Sequence, residues 1–386
     1  MRGRERLMAV IKGEIPDKLP FAPLLNDFFL STLPIKNKIH DPVDGCRFLG
    51  VDICDRWVSS FKGYHIHPYF GDDYFDLDML NQGGIKKIDI IENDSIYSTY
   101  TTSKGKINCK LSKNRIAGDT KFFEDMLIKN ISDLPIYKHI WESVSPYANY
   151  SITQKRIEYI GNDGIAMVLI PSTPLLHLIM YDIGLEKTNY FLKDYPEKME
   201  ELLEIMSYKA LEACRIAVES PAKVGIIAEN SGTRLISPLQ FKKYCLPIIS
   251  EYAKIFKNNG KYLFLHACGH LKNLLNQIIE IDGLTGIESL NPPPTGDVEL
   301  EVFLEIMEKV KVVIGGLDPI QFLKSTPDKL EATIKEIISI VSPGKNFILM
   351  PSDSTCAFTP IKNFKVVNEI INKYGKWKKL KIDQYL

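Results

Sequence analysis

The chain has no long apolar run, few arginines and no surplus of charge of either sign. Its most apolar stretch, Gly164 to Met180, is interrupted by Pro171-Ser-Thr-Pro174. It falls short of the ~20 apolar residues that a spanning helix needs. The opening, Met1-Arg-Gly-Arg-Glu-Arg-Leu-Met, is charged from the start and lacks the apolar centre of a signal peptide. A soluble, cytoplasmic protein is expected, with no membrane partner. Lys plus Arg number 48 and Asp plus Glu 48, so no net field draws the chain to nucleic acid. Only nine of the cations are arginine, so bidentate clamps for anions are scarce. The seven cysteines are odd in number and irregular in spacing, which argues against a disulfide framework and for a reducing compartment. There are no repeats, low-complexity tracts or phosphate-cradling glycine loops, and Gly315-Gly316 is too short to be one.

What is present is a rhythm. Eight short apolar runs recur over 386 residues, mostly with amphipathic segments between them: 19–25, 51–57, 165–171, 224–230, 262–268, 286–291, 312–318 and 347–353. Each is rich in Ile, Val, Leu or Phe and ends in polar or small residues, as strands buried on both faces do. Helix starts are legible too, at Asp194-Tyr-Pro-Glu and at Ser237-Pro238. Strand and helix repeated eight times predict one α/β domain over 1–386, a (β/α)8 TIM barrel. The rhythm breaks after the second strand. There, within 58–160, Ser95-Ile-Tyr-Ser-Thr-Tyr-Thr-Thr and Lys106-Ile-Asn-Cys-Lys-Leu flank Ser103-Lys-Gly105. This predicts a β-hairpin in an insertion near the barrel mouth. The lysines of 373–381 around Trp377 read as a solvated helix end.

In such a barrel the chemistry lies at the C-terminal ends of the strands. Those ends carry Asn26 and Asp27, Asp55 and Arg56, Ser172 and Thr173, Glu229 and Asn230, His266 and Cys268, Glu288 and Asn291, Asp318, and Asp353 and Cys356. Some of these will cap helices, Ser172 and Asp353 among them. His266, Cys268, Glu288 and Cys356 stand out, because imidazole and thiolate are the ligands that zinc prefers. Each alone would pass for core filling. Together, at the ends of the fifth, sixth and eighth strands, they are the candidate metal ligands. Glu288, Asn230 and Glu229 are the candidate catalytic side chains. His65 and His67 imitate the His-x-His of barrel metallohydrolases, but no further His or Asp in the sequence visibly completes that site, and they read as loop histidines.

The opening segment through Leu19-Pro20, Ser231-Gly-Thr-Arg-Leu-Ile-Ser-Pro-Leu-Gln-Phe and Gly315-Gly-Leu-Asp-Pro319 resemble uroporphyrinogen decarboxylase-like proteins. Within that superfamily the pattern at 266, 268 and 356 is similar to the zinc-dependent corrinoid methyltransferases, both the methylcobamide:coenzyme M type and the first methyltransferases of O-demethylase systems. The related cobalamin-independent methionine synthases use a His-x-Cys…Glu…Cys order, which makes Glu288 rather than Glu229 the implied fourth ligand. The decarboxylases carry an arginine-rich loop after their first strand, where this chain reads Leu24-Leu-Asn-Asp-Phe-Phe-Leu. The resemblance therefore implies zinc and methyl transfer rather than decarboxylation. None of the seven histidines has Asp two residues before it, as a corrinoid motif requires. The corrinoid (a cobalamin) is thus expected on a partner protein, with a small methylated substrate or a thiol as the other reactant and a homodimer left open. A methyl ether is the favoured donor, with Tyr64, Phe70, Tyr97 and Tyr100 as an apolar lid.

Overall fold

The structure is a computed structural model that describes residues 1–33, 39–67, 69, 76–114, 120–309 and 312–377. Seven parallel strands lie in chain order within one curled sheet. They are β1 (Ile53–Val58), β2 (Gly164–Ile170), β3 (Val224–Ile227), β4 (Tyr262–His266), β5 (Gly286–Leu290), β6 (Val312–Leu317) and β7 (Phe347–Pro351). Each lies on an apolar run, with its ends shifted by at most three residues. The fold is mixed α/β and TIM-barrel-like.

The expected first strand, 19–25, is not a regular strand. Pro20 and Pro23 lack the N–H groups that a ladder needs, so only isolated pairings form. Phe21 bridges Leu349 and Leu24 bridges Ser354, both parallel, on the β7 side. On the other side Asp52 N donates to Phe21 O at 2.9 Å, just ahead of β1. The segment thus sits in the seam between the two edge strands.

Alternation places one set of side chains inside the curled sheet. Cys54, Ile165, Met167, Val224, Ile226, Phe264, Val312, Ile314, Ile348 and Met350 form one buried cluster, joined by Leu7, Val10 and Ile11 of the N-terminal helix Gly3–Ile11. Gly286 lies level with Phe264 on the neighbouring strand. A Cβ there would stand 2.1 Å from Val312 O and 2.9 Å from the Phe264 ring, so only glycine admits that ring. The larger core packs the outer strand faces against helices such as Pro196–Glu219, which starts where Asp194-Tyr-Pro-Glu predicts. Between β1 and β2 lies a four-stranded antiparallel sheet, Lys86–Glu92, Ser95–Thr102, Gly105–Asn114 and Thr120–Asp125. Its central hairpin turns with Thr102 paired to Gly105. Among the described residues no helix is long and apolar enough to cross a membrane.

Candidate functional site

Two residues beyond Phe264 on the same face is His266, two beyond Cys54 is Arg56, and two beyond Gly286 is Glu288. At the C-terminal end of the interior, polar groups thus replace the apolar stack. His266 and Glu288 are direct neighbours in the parallel register of β4 and β5. The imidazole Nδ1 and Glu288 Oε2 share a short hydrogen bond, and Ser289 Oγ donates to the same oxygen at 3.1 Å. Glu288 Oε1 forms an ion pair with Arg56 Nε at 2.7 Å, and both side chains are fully buried. Burial alone would pull the His266 imidazole down, but the Glu288 carboxylate and Cys268 outweigh it and hold His266 well above its ordinary range. Burial likewise opposes ionisation of Glu288, and Arg56 with His266 reverses that, so the carboxyl lies below its ordinary value. The Trp57 ring meets the imidazole edge-on, 5.2 Å between centroids.

Cys268, two residues past His266, is half-buried, and its thiol faces Asn230 Oδ1 at 3.5 Å. Asn230 Nδ2 in turn reaches Met180 Sδ at 3.3 Å. Cys356 is also half-buried, beyond the end of β7; burial, then the Asp318 and Asp353 carboxylates, raise its thiol. Among the described residues no three His, Cys, Asp or Glu side chains converge closely enough as they stand to hold a metal. The structure sets His266 against both Glu288 and Cys268 and leaves Cys356 beyond the end of β7, which β6 separates from β5. The donor set fits a soft divalent cation at His266 and Cys268, with Cys356 as the further thiol. Both Glu288 oxygens are already engaged.

Glu229 is fully buried on the next strand end. It accepts from Thr173 N at 2.6 Å, Thr173 Oγ1 at 2.8 Å and Ser231 Oγ at 3.2 Å. Burial pushes its carboxyl up to about 7 against those donors, so it can carry a proton near neutrality. Several other strand-end residues are structural. Asn26 accepts from Phe29 N and Asp318 from Gln321 N as helix caps, and Arg156 Nε holds Asp55 at 2.7 Å. Asp353 Oδ1 accepts from Ser354 N at 2.6 Å. Ser172 is buried.

His65 and His67 lie in irregular backbone after the short strand Phe61–Lys62, as loop histidines would, but they are not exposed. Both are fully buried, and His67 Nε2 pairs closely with Asp182 Oδ1. His177 Nε2 lies 3.2 Å from Asp182 Oδ2, and Tyr137 OH donates to that same oxygen. This knot was invisible in the sequence because its members stand up to 115 positions apart. It fastens the segment after β1 to a π-helical turn, Leu178–Asp182, that carries Met180 and Tyr181. The lid residues need correction as well. Tyr64 and Tyr100 are fully buried packing residues, Tyr97 lies exposed on the antiparallel sheet, and Phe70 lies outside the described residues, as does 378–381 of the lysine-rich end. Tyr69, Phe123 and Tyr181 form an aromatic group of their own, with ring centroids 5.3–6.3 Å apart.

A methyltransferase from Methanosarcina mazei is similar in structure, with a TM-score of 0.58 at 14% identity over 97% of this chain and 99% of that one. That likeness establishes the shared fold. A B12-independent methionine synthase from Shewanella sp. W3-18-1 aligns over 92% of this chain and 98% of that one at 10% identity, with a TM-score of 0.44. No curated protein matches by sequence. The uroporphyrinogen decarboxylase (URO-D) family model matches residues 166–374, from β2 through the last described helix and more than half of the chain. With the curled parallel sheet and the polar layer at its C-terminal end, that match makes this chain a member of the uroporphyrinogen decarboxylase family.

Proposed function

We propose that the protein is a zinc-dependent methyltransferase that moves a methyl group between a small methylated substrate and a corrinoid carried by a partner protein. The observation that carries the reading is the pairing of His266 and Cys268 at the end of β4, backed by a buried carboxylate, inside a fold shared with a methyltransferase. His266, Cys268 and Cys356 would hold the metal. Zinc there would supply a Lewis acid for an ether oxygen or a thiolate.

The chain's own residues support methyl transfer over decarboxylation of a polyanion. The loop after residue 23 has no arginine, and Arg56 is committed to Glu288. Asn230 lies against the Cys268 thiol, where its amide can orient a bound substrate. Glu229 stands one residue away as a buried proton carrier. Met180, whose turn also carries Tyr181 of the Tyr69–Phe123–Tyr181 aromatic group, would offer apolar surface next to Asn230 for a methyl ether. In demethylation the C–O bonding pair stays on oxygen, which takes a proton, and the methyl passes to the reduced corrinoid.

The test mixes enzyme, zinc, cob(I)alamin and candidate methyl ethers and follows methylcobalamin by absorbance. Formation of methylcobalamin from an ether, abolished in Cys268→Ser and Cys356→Ser, is the expected result. Consumption of methylcobalamin only with an added thiol would assign the thiol as acceptor instead. Inactivity in both directions, with a cognate corrinoid protein present, would remove the methyltransferase reading.

A further inference from the structure

We infer that Arg56 and Glu288 form a positioning relay behind His266, in which Glu288 orients the imidazole instead of binding the metal. The inference rests on the zinc reading above and departs from the ligand set that the sequence suggests. Glu288 has two oxygens, and the protein uses both. Oε2 faces His266 Nδ1 and accepts from Ser289 Oγ at 3.1 Å, while Oε1 meets Arg56 Nε at 2.7 Å. The other guanidinium nitrogens are also placed. Nη1 donates to Cys54 O at 2.9 Å, and Nη2 reaches Ala22 O at 3.3 Å and Met350 Sδ at 3.1 Å. Arg56 is therefore anchored to the start of the seam, to β1 and to β7 at once. Swinging Glu288 towards a metal would leave a fully buried guanidinium without its counter-charge, which is strongly unfavourable.

The backbone agrees. Ser289, directly after Glu288, holds φ at 70°, a left-handed conformation that serine adopts only where its surroundings dictate it. The register with β6 slips at the same place, between Glu288 and Leu290. Glu288 is thus fixed on the inner face beside His266. With Nδ1 engaged by the carboxylate, Nε2 is the ring nitrogen left to ligate, and the Trp57 ring limits its rotation from the side. A carboxylate behind a ligating histidine fixes its tautomer and raises its basicity, and losing one typically weakens metal binding about 10–100-fold without removing a ligand. The fourth position then belongs to the substrate.

The experiment uses the full chain and two readouts. Zinc affinity is measured by competition with a chromophoric chelator, with the inner coordination sphere counted by X-ray absorption. Separately, the imidazole N–H protons of the zinc-free protein are followed by NMR. Glu288→Gln is expected to keep one zinc with unchanged ligand number and about 10–100-fold weaker affinity. Because Arg56→Met alone risks misfolding around an unpaired carboxylate, the double variant Arg56→Met/Glu288→Gln removes both charges. It should match Glu288→Gln in zinc affinity, since Arg56 acts only through Glu288. Arg56→Lys, which keeps the charge beside Glu288, should retain more affinity than the double variant. The zinc-free wild type should show a downfield Nδ1–H resonance from His266 that Glu288→Gln loses.

Loss of an oxygen ligand in Glu288→Gln would overturn the relay, as would absence of the downfield resonance from the wild type. So would a further fall in affinity in the double variant. If the resonance is present but the wild type binds no zinc, the zinc reading fails while the relay stands.

Discussion

Replacing Asp182 with Asn tests the claim that a buried charge outside the proposed ligand set holds the turn after β2 in place. Asp182 is fully buried between His67, His177 and Tyr137. Burial alone would pull His67 down, yet the Asp182 carboxylate lifts it from 6.5 to about 9. At ~1.4 kcal/mol for each pH unit, that rise corresponds to about 3 kcal/mol of folding stability. The order is that of breaking a buried pair by removing one partner. The sign follows from a raised folded value: the contribution is full below the unfolded pKa of about 6.5 and is lost as pH rises through about 9. Urea unfolding of Asp182→Asn at pH 6 should therefore show a loss of about 3 kcal/mol that shrinks towards pH 10. A loss that stays constant over that window, or one below about 1 kcal/mol at pH 6, would refute the argument. Because Met180 and Tyr181 ride on the same turn, the variant should also weaken substrate binding under conditions where it remains folded.

Glu229 is raised by burial to about 7, so the wild type should lose stability as pH climbs from about 5 through 7, by about 3 kcal/mol in all. Glu229→Gln should flatten that dependence, and an identical pH profile in the variant would rule out Glu229 as its source. Gly286→Ala would put a methyl group 2.1 Å from Val312 O and should cost at least 1–3 kcal/mol in urea unfolding, as overpacking does. A neutral effect would mean that β5 and β6 can separate there. Cys46→Ala, at a buried thiol outside the proposed ligand set, should leave zinc stoichiometry unchanged while Cys268→Ser lowers it, as metal analysis would show.

Much of the architecture was legible because strands buried on both faces must be apolar along their whole length. That rule marks Gly164–Ile170 or Phe347–Pro351 without any knowledge of their neighbours. The first run was misread for a local reason also written in the sequence: Pro20 and Pro23 remove the donors that a ladder needs. The antiparallel hairpin was legible from β-formers around Ser103-Lys-Gly105, while its two flanking strands were not, since Lys86–Glu92 carries charges that mask alternation.

For the site, the sequence by itself determined the residue types and their strand ends. Asking which metal-binding side chains follow an apolar run singles out His266, Cys268, Glu288 and Cys356 as candidates. Tertiary structure alone decided which of them touch: His266 meets Glu288, and Glu288 meets Arg56. Arg56 was one polar strand-end residue among many until the curl of the sheet set it 2.7 Å from Glu288, 232 positions away in the chain. Likewise, His67 became half of a buried ion pair only when folding delivered Asp182. Local sequence dictates hydrogen-bonding period and burial, because those depend on neighbours along the chain. The charge state and partner of a buried side chain depend on groups brought from distant segments, and only the closed core fixes which those are.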